Sequence, residues 1–294
     1  MKTRWLLNLA LLLLVAALGT FAWYRGQQQA RDPRAPLTTL APADVTRVSI
    51  ERGTQAPITL ERTASGWRMT APLKARANGF AVDNLLRLAT APIETTLTAP
   101  LEAARYGLAP PAATVRLNDS AIEFGQMHPM KDWHYVRAGG AVHLIGSRYY
   151  APVAAPYRNY LDSRLIEAER APVAFVLPRF RVERDGDGWR RVPEDKQLSS
   201  DRINDFVEEW RNARALSVER YSGRAVLERI QIRFGAGDQA ETLTLGVLAH
   251  KPELVLYRAD EGLEYHFPEE TGNRLLNLRD ITPSPSLPRK AGEG

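Results

Sequence analysis

Met127, His128, Met130 and His134, with His143 further along, form the densest set of metal-binding side chains in the chain. Two thioethers and three imidazoles are the donor mixture that suits a soft or borderline ion such as copper. The spacing argues against such a site. Pro129 turns the chain between the first two histidines, so nothing fixes both rings on one strand face, and the segment is expected to be an exposed hairpin loop with scattered imidazoles, holding no metal or other cofactor. The other chemistry-bearing groups are no better placed. Glu208 and Glu209, the paired carboxylates on an expected helix, are adjacent and so point about 100° apart, which suits a solvated face. Asp185 and Asp187 alternate with glycines, but the twelfth position of a calcium loop starting at Asp185 is Lys196, so a turn is expected. There is no Gly-x-Ser-x-Gly elbow and no Gly-x-x-x-x-Gly-Lys-Ser/Thr phosphate loop. With no cysteine there is no disulfide, thiolate metal site, Cys nucleophile or lipid-modified Cys. No catalytic residue is assigned, and a non-enzymatic protein is expected.

Trp67 and Trp189 are the aromatic candidates. Each follows a turn glycine and precedes an amphipathic helix, so a core anchor fixing helix to sheet is favoured over a ligand-stacking role. Tyr149, Tyr150, Tyr157 and Tyr160 with Arg158 and Arg164 are a possible partner surface, since Tyr and Arg are enriched at interfaces. A solvated helix explains that cluster equally well.

The two tryptophans mark a duplication. Gly66 to Leu88 (GWRMTAPLKARANGFAVDNLLRL) has a second copy at Gly188 to Trp210 (GWRRVPEDKQLSSDRINDFVEEW). In each, a Gly-Trp turn opens a short strand, a proline closes it (Pro72, Pro193) and a helix follows. The apolar faces are Val82, Leu85, Leu86, Ala89 and Ile203, Phe206, Val207, Trp210, the spacing of a helix packed on one side. Trp67 to Trp189 is an offset of 122, shared by Ile58, Leu60 and Arg62 with Phe180, Val182 and Arg184. After the helix the offset falls to 115, pairing Arg105 and Tyr106 with Arg220 and Tyr221, and Val115 and Leu117 with Ile230 and Ile232. It then returns to 121, where Ile122 to Gly125 meets Leu243 to Gly246, Arg137 meets Arg258, and Val142 and Leu144 meet Leu263 and Tyr265. The liganding pattern of Met127 to Met130 is not repeated: Leu248, Ala249 and His250 stand there. Insertions fall only in expected connections, as they should if the alignment is real.

Around these anchors the first unit reads as strands at Val45 to Glu51, Ile58 to Leu60 and Trp67 to Met69, then a helix from about Gly79 to Thr90 and a strand at Ile93 to Leu97. A short helix at Leu101 to Arg105 ends near Gly107, and Tyr106 to Pro111 is expected to be extended because each proline bars helix for the residue before it. Four strands follow, at Thr114 to Leu117, Ile122 to Gln126, Trp133 to Arg137 and Val142 to Ile145, the last two joined across Gly139-Gly140. Tyr157 to Glu169 reads as a terminal helix.

The start of the chain gives its address. Lys2 and Arg4 precede Trp5 to Tyr24, whose only polar side chains are Asn8 and Thr20, and such a helix spans roughly 30 Å, the thickness of a bilayer's hydrocarbon core. Trp5, Trp23 and Tyr24 sit where interfacial anchors belong. The reading is an uncleaved signal anchor, residues 1 to 25, with the N-terminus inside and the bulk exported; a cleaved signal peptide with Thr20 and Ala22 at the small-residue positions is the alternative. Residues 26 to 44 are a Pro- and Gln-rich linker, 45 to 169 and 170 to 282 the two units, and 283 to 294 a disordered tail. Hydrophobic content of 44% and charged content of 25% are those of a globular body. The net charge of +5 falls to +3 without Lys2 and Arg4, too little and too dispersed for a nucleic-acid partner.

Gly66-Trp67-Arg68-Met69-Thr70-Ala71-Pro72, together with Tyr106-Gly107-Leu108 and Pro110-Pro111, carries a family resemblance that covers about Val45 to Ile281. The chain resembles the bacterial family numbered 4340 among the domains of unknown function. Unit two departs from the pattern, with Tyr221-Ser222-Gly223 lacking the following prolines. The resemblance implies a neighbourhood: such proteins are often encoded beside gliding-type ABC export systems with a membrane-anchored extracytoplasmic partner subunit. It brings no catalytic residues.

The expected fold is therefore α+β, a transmembrane helix followed by two tandem homologous lobes, each an antiparallel sheet with a covering helix. The expected function is a non-enzymatic auxiliary or scaffold subunit of an ABC-type export or envelope complex, single-pass in the bacterial inner membrane with its bulk in the periplasm. Its partner would be the permease or the anchored extracytoplasmic subunit. A ligand-binding or envelope-sensing module with a site in the inter-lobe cleft is the alternative, and a hydrolase whose residues converge only in three dimensions a third.

Overall fold

The computed structural model describes residues 34–98, 102–235 and 240–278. Its strands and helices run β1 (Arg47–Glu51), β2 (Ile58–Thr63), β3 (Gly66–Ala71), β4 (Ala75–Arg76), α1 (Gly79–Leu86), β5 (Ile93–Leu97), β6 (Ala113–Leu117), β7 (Ser120–Met127), β8 (Trp133–Ala138), β9 (Ala141–Gly146) and α2 (Tyr150–Ala154). They continue with β10 (Pro172–Val176), β11 (Arg181–Asp185), β12 (Gly188–Val192), α3 (Ser200–Arg211), β13 (Ser217–Arg220), β14 (Glu228–Phe234), β15 (Glu241–Ala249), β16 (Glu253–Arg258), β17 (Leu263–Pro268) and α4 (Glu269–Leu276).

The fold is α+β, with two antiparallel sheets. The nine-stranded sheet has the order β4-β3-β2-β1-β6-β7-β8-β9-β5 and the eight-stranded sheet the order β12-β11-β10-β14-β15-β16-β17-β13. Apart from β4, the two orders coincide position by position. Grouped by contacts, residues up to Ala64 with Phe80–Ala155 form one compact unit and Ser65–Gly79 with Pro156 onward the other, so β3 and β4 count with the second. The grouping of contacts thus differs from the division of the sequence at 169 and 170.

In the first unit, alternation decides which face is buried. Val48 and Ile50, Val115 and Leu117, Ile122 and Phe124, Val136 and Ala138, and Val142 and Leu144 turn inward, while Ser49, Arg116, Glu123, Arg137 and His143 between them stay partly or fully exposed. The β8–β9 hairpin turns on Gly139 and Gly140 at φ 56° and 82°, the double positive φ that a type I′ turn needs. Gly125 has a different duty. A Cβ there would lie 2.1 Å from the Tyr106 carbonyl oxygen, so only glycine admits the chain that crosses it. Residues 34–44, expected as a spacer, are docked in their own unit. Leu37 is buried and donates its N–H to the Ala91 carbonyl at 2.8 Å, and Thr38 donates to that of Ala89 at 3.0 Å.

The second unit has an aromatic core. Ile203, Phe206, Val207 and Trp210 of α3 are buried, the face expected from spacing, and Ser199 caps the helix by accepting the Arg202 N–H at 3.2 Å. Trp210 packs 5.7 Å from the Phe175 ring and donates its indole N–H to the Leu275 carbonyl at 2.9 Å, tying α3 to α4.

Two expectations fail locally. Tyr157 to Glu169 is a 3-10 turn, Tyr157–Tyr160, followed by extended chain. Backbone groups that a helical ladder would use are taken by neighbours instead: the Tyr160 carbonyl accepts from Asn78, Asp162 donates to the Arg76 carbonyl, Leu165 donates to that of Ala213, and the Ser163 carbonyl accepts from Ala215. Tyr106 to Pro111 is a tight turn, with Gly107 at φ 67° and a bridge between Leu108 and Pro111. The glycine closes the preceding 3-10 turn, Ala103–Tyr106, by donating back to the Ala104 carbonyl. The apolar stretch at residues 5 to 24 lies outside the described residues, and no described helix is long and apolar enough to cross a membrane.

Gly125→Ala is expected to destabilise the protein by about 1–3 kcal/mol or more, because backbone must move. Gly246→Ala should cost less, since its Cβ meets the end of the Val226 side chain at 2.9 Å. Urea denaturation midpoints of the two variants check the contrast, and equal midpoints would refute it.

Candidate functional site

Five polar side chains of the second unit, Asp162, Glu167, Asp260, Glu261 and Tyr265, converge on two guanidiniums, those of the half-buried Arg76 and the buried Arg258. Arg258, at the end of β16, is 1% exposed. Its Nη1 donates to the Leu165 carbonyl at 2.7 Å, its Nη2 to Glu167 at 3.0 Å and to Asp260 at 2.6 Å, and its Nε lies 3.6 Å from Glu261. Arg76, on β4, donates from Nε to Glu261 at 2.6 Å, from Nη1 to Asp162 at 3.1 Å, and from Nη2 to the Arg164 carbonyl at 2.7 Å and the Tyr265 hydroxyl at 3.0 Å. Tyr265 in turn donates to Glu261. Three stretches thus meet: the β3–β4 arm, the extended segment at 162–167 and the β16–β17 turn, where Gly262 takes φ 66°.

Electrostatics follow from this packing. Burial works against the charge on Arg76 and Arg258, yet Tyr265 and Glu261 around the first, and Asp260, Glu261 and Glu167 around the second, outweigh it and hold both above the ordinary arginine value. Burial likewise works against ionised Glu167 and Asp260, but the Arg258 guanidinium wins and lowers both. Burial first, then Glu261, pushes the Tyr265 phenol up. Glu167 and Asp260 are held charged by Arg258 and the phenol is held neutral, so the cluster is suited to cross-linking chain segments. A general base would need a pKa near the operating pH.

A second polar knot lies on β17. Glu264, 2% exposed, accepts the Ser222 N–H and hydroxyl, each at 2.6 Å, and pairs with Arg224. His266 Nε2 lies 3.6 Å from the same carboxylate, and His266 Nδ1 is 2.7 Å from Glu253. A Ser, a carboxylate and a His are present, but the carboxylate stands between the other two. A nucleophilic serine needs the imidazole on its own oxygen. Although burial opposes it, hydrogen bonding from Ser222 and Arg224 lowers the Glu264 pKa, which makes it a weak base and a firm anchor for the segment at 221–224.

The residues singled out from sequence are scattered. In the first unit His134 is buried and stacks on Tyr150 at 4.5 Å, and burial, opposed by Asp132, lowers its pKa. His143 Nδ1 is 2.9 Å from the Thr96 hydroxyl, His128 Nδ1 accepts the Met130 N–H at 3.2 Å, and the Met127 and Met130 side chains are exposed. Among the described residues no three of His, Cys, Asp and Glu are grouped to hold a metal ion. Tyr106 packs 4.8 Å from Tyr135, next to Gly107. In the second unit Trp67 is buried, Trp189 is half-buried 5.9 Å from Phe175, Pro72 is half-buried and Pro193 exposed; both prolines follow cis peptide bonds. Tyr149 and Tyr150 fall in the first unit and Tyr157, Arg158, Tyr160 and Arg164 in the second, where Tyr160 is 1% exposed.

The family profile described as Domain of unknown function (DUF4340) matches residues 67–229, just over half of the 294. The chain belongs to this family. The DUF4340 match takes in both tryptophans and, from the ionic cluster, Arg76, Asp162 and Glu167, and it stops short of Arg258, Glu261 and Tyr265. No curated protein and no solved structure matches the chain.

Sequence reading missed the cluster because its members lie up to 189 positions apart. One signal was available: Tyr265 replaces Leu144 at an inward position of the repeat, and a buried phenol needs a partner.

Arg258→Met should cost about 3–5 kcal/mol, since it removes the guanidinium that bonds the Leu165 carbonyl, Glu167 and Asp260 and leaves Glu261 to Arg76 and Tyr265, whereas Arg190→Gln, which breaks an exposed pair with Glu183, should cost about 0–1 kcal/mol. Thermal or urea unfolding separates the two, and similar losses would mean that the cluster holds nothing. The pH dependence has a definite sign. Glu167 and Asp260 titrate lower in the folded chain than their ordinary values of 4.5 and 3.8, so the unfolded chain binds protons first on acidification. Their stabilisation is complete above the ordinary values and is lost as the pH falls through them toward the folded pKa values. Unfolding midpoints followed from about pH 7 to about pH 3 should fall less steeply in Glu167→Gln than in the parent protein; parallel curves would contradict the coupling.

Proposed function

We propose that the protein is a membrane-tethered, non-enzymatic auxiliary or scaffold subunit of an ABC-type export or envelope complex. The apolar stretch at 5 to 24 would hold it in the bacterial inner membrane, with its bulk in the periplasm and two homologous lobes, each a sheet with its covering helix, presented to a permease or to an anchored extracytoplasmic subunit. The observation that carries this reading is the coincidence of the two strand orders, which fits the repeat in the sequence at offsets of 122, 115 and 121. A duplicated body behind an anchor is built for reach and contact. The saturated ionic cluster fits the same role, because its charges are spent on joining segments of one unit.

The test is purification of the full-length protein from its own membranes in mild detergent, with mass spectrometry of what accompanies it. Transporter subunits in near-equal amount, lost when residues 26 to 169 are deleted but retained when only the tail from 283 is removed, are the expected result. Recovery of the protein alone would overturn a stable complex and leave a ligand-binding module as the better reading.

A further inference from the structure

A pocket of about 280 Å³ in the second unit is lined by four arginines, Arg164, Arg170, Arg211 and Arg214, and two carboxylates, Glu167 and Glu208. Four cations against two anions leave its lining with a formal charge of +2. Two of the arginines are already engaged. Arg211 donates to Glu208 at 2.6 Å, and Arg170 lies 3.4 Å from Glu167 and 2.8 Å from Glu241 with its guanidinium over the Phe234 ring.

Arg164 and Arg214 are different. They face each other across an isolated antiparallel bridge. Residues opposed in that way send their side chains to the same face, with Cβ atoms about 5 Å apart, and like charges so placed repel. The backbone of Arg164 is occupied, its N–H by Asp162 and its carbonyl by Arg76. Among the described residues neither guanidinium donates a hydrogen bond or makes an ion pair, while nearly every other charge around the pocket is matched. Two unmatched arginines are thus held opposite each other by a backbone bridge, and both line the same cavity.

We infer that this pocket binds a phosphate-bearing ligand, whose oxygens Arg164 and Arg214 receive. A phosphate monoester carries a charge of about −1.5 to −2 at neutral pH, which matches the lining, whereas a carboxylate would leave half of it uncompensated. The planar guanidinium fork suits phosphate oxygens through paired hydrogen bonds. The volume is at the small end for ligand sites, enough for a phosphate and a short attached group. A soluble phosphate ester and the headgroup of an anionic phospholipid share this chemistry. The inference does not depend on a protein partner, so failure to co-purify a transporter leaves it intact.

The experiment uses the full-length protein in an uncharged detergent. Calorimetric titration with glycerol 3-phosphate, inorganic phosphate and acetate is set beside flotation with phosphatidylcholine vesicles, with and without phosphatidic acid. Arg164→Gln and Arg214→Gln are compared with Arg229→Gln, which removes an exposed charge outside the pocket. Saturable binding of glycerol 3-phosphate, weaker for acetate, reduced at least tenfold by each pocket substitution and unchanged by Arg229→Gln, is expected for a soluble ester. Binding confined to phosphatidic acid vesicles, with the same dependence on the variants, assigns the site to a headgroup. Arg214 is exposed, so an unchanged unfolding midpoint in Arg214→Gln ties its loss to binding. The inference is overturned if no phosphate-bearing probe binds saturably, or if all three variants weaken binding alike.

Discussion

Arg258 has to be neutralised before β16 and β17 can close over it, because taking a lone guanidinium out of water costs several kcal/mol even after relaxation. The carboxylates that neutralise it determine much of the second unit's geometry. Glu167 and the Leu165 carbonyl hold the segment after Tyr160 in an extended path, and Asp260 and Glu261 shape the β16–β17 turn. Glu261 is shared with Arg76, which carries β4 into the same centre together with Asp162 and Tyr265. Apolar replacements of similar volume often pack as well, but they would not carry the directional bonds that tie the Leu165 carbonyl, Glu167 and Asp162 to these two guanidiniums.

That segment shows where sequence reading reaches its limit. Tyr157 to Glu169 has the composition of a solvated helix, and its local preferences were overridden by donors and acceptors on β4 and on the chain after α3. Period and punctuation were legible because they are local. The α3 face, the Gly139-Gly140 hairpin, the strands from β6 to β9 and the α+β class all follow from spacing that a window of ten residues contains. The ionic cluster depends on residues from three distant stretches, and no local window holds more than a part of it. Arg76 in isolation reads as an ordinary polar residue beside an alanine.

Comparison of equivalent positions shows how one strand plan supports two interiors. Gly125 and Gly246 stand at matched places, and each lets the chain that follows the 105/220 position approach the sheet, through the Tyr106 backbone in one case and the Val226 side chain in the other. Arg137 and Arg258 also match, yet Arg137 makes only a half-buried cross-strand pair with Glu123, while Arg258 is enclosed. Glycine is retained where the backbone path demands it, and the polar centre is free to diverge because it depends on side chains that the path does not dictate.

The arginines of the second unit then divide by what confines them. Arg76 and Arg258 are enclosed and must be matched by the chain itself, or the unit would not close. Arg164 and Arg214 border solvent, so folding tolerates them without a partner, and water and salt can serve in the absence of anything better. Glu167 stands at the boundary, bonded to Arg258 on one side and lining the pocket on the other. The extended segment that carries Arg164 and Glu167 is held in place by the matched pair, and it is through that segment that the same buried charges which fix the fold also hold Arg164 opposite Arg214.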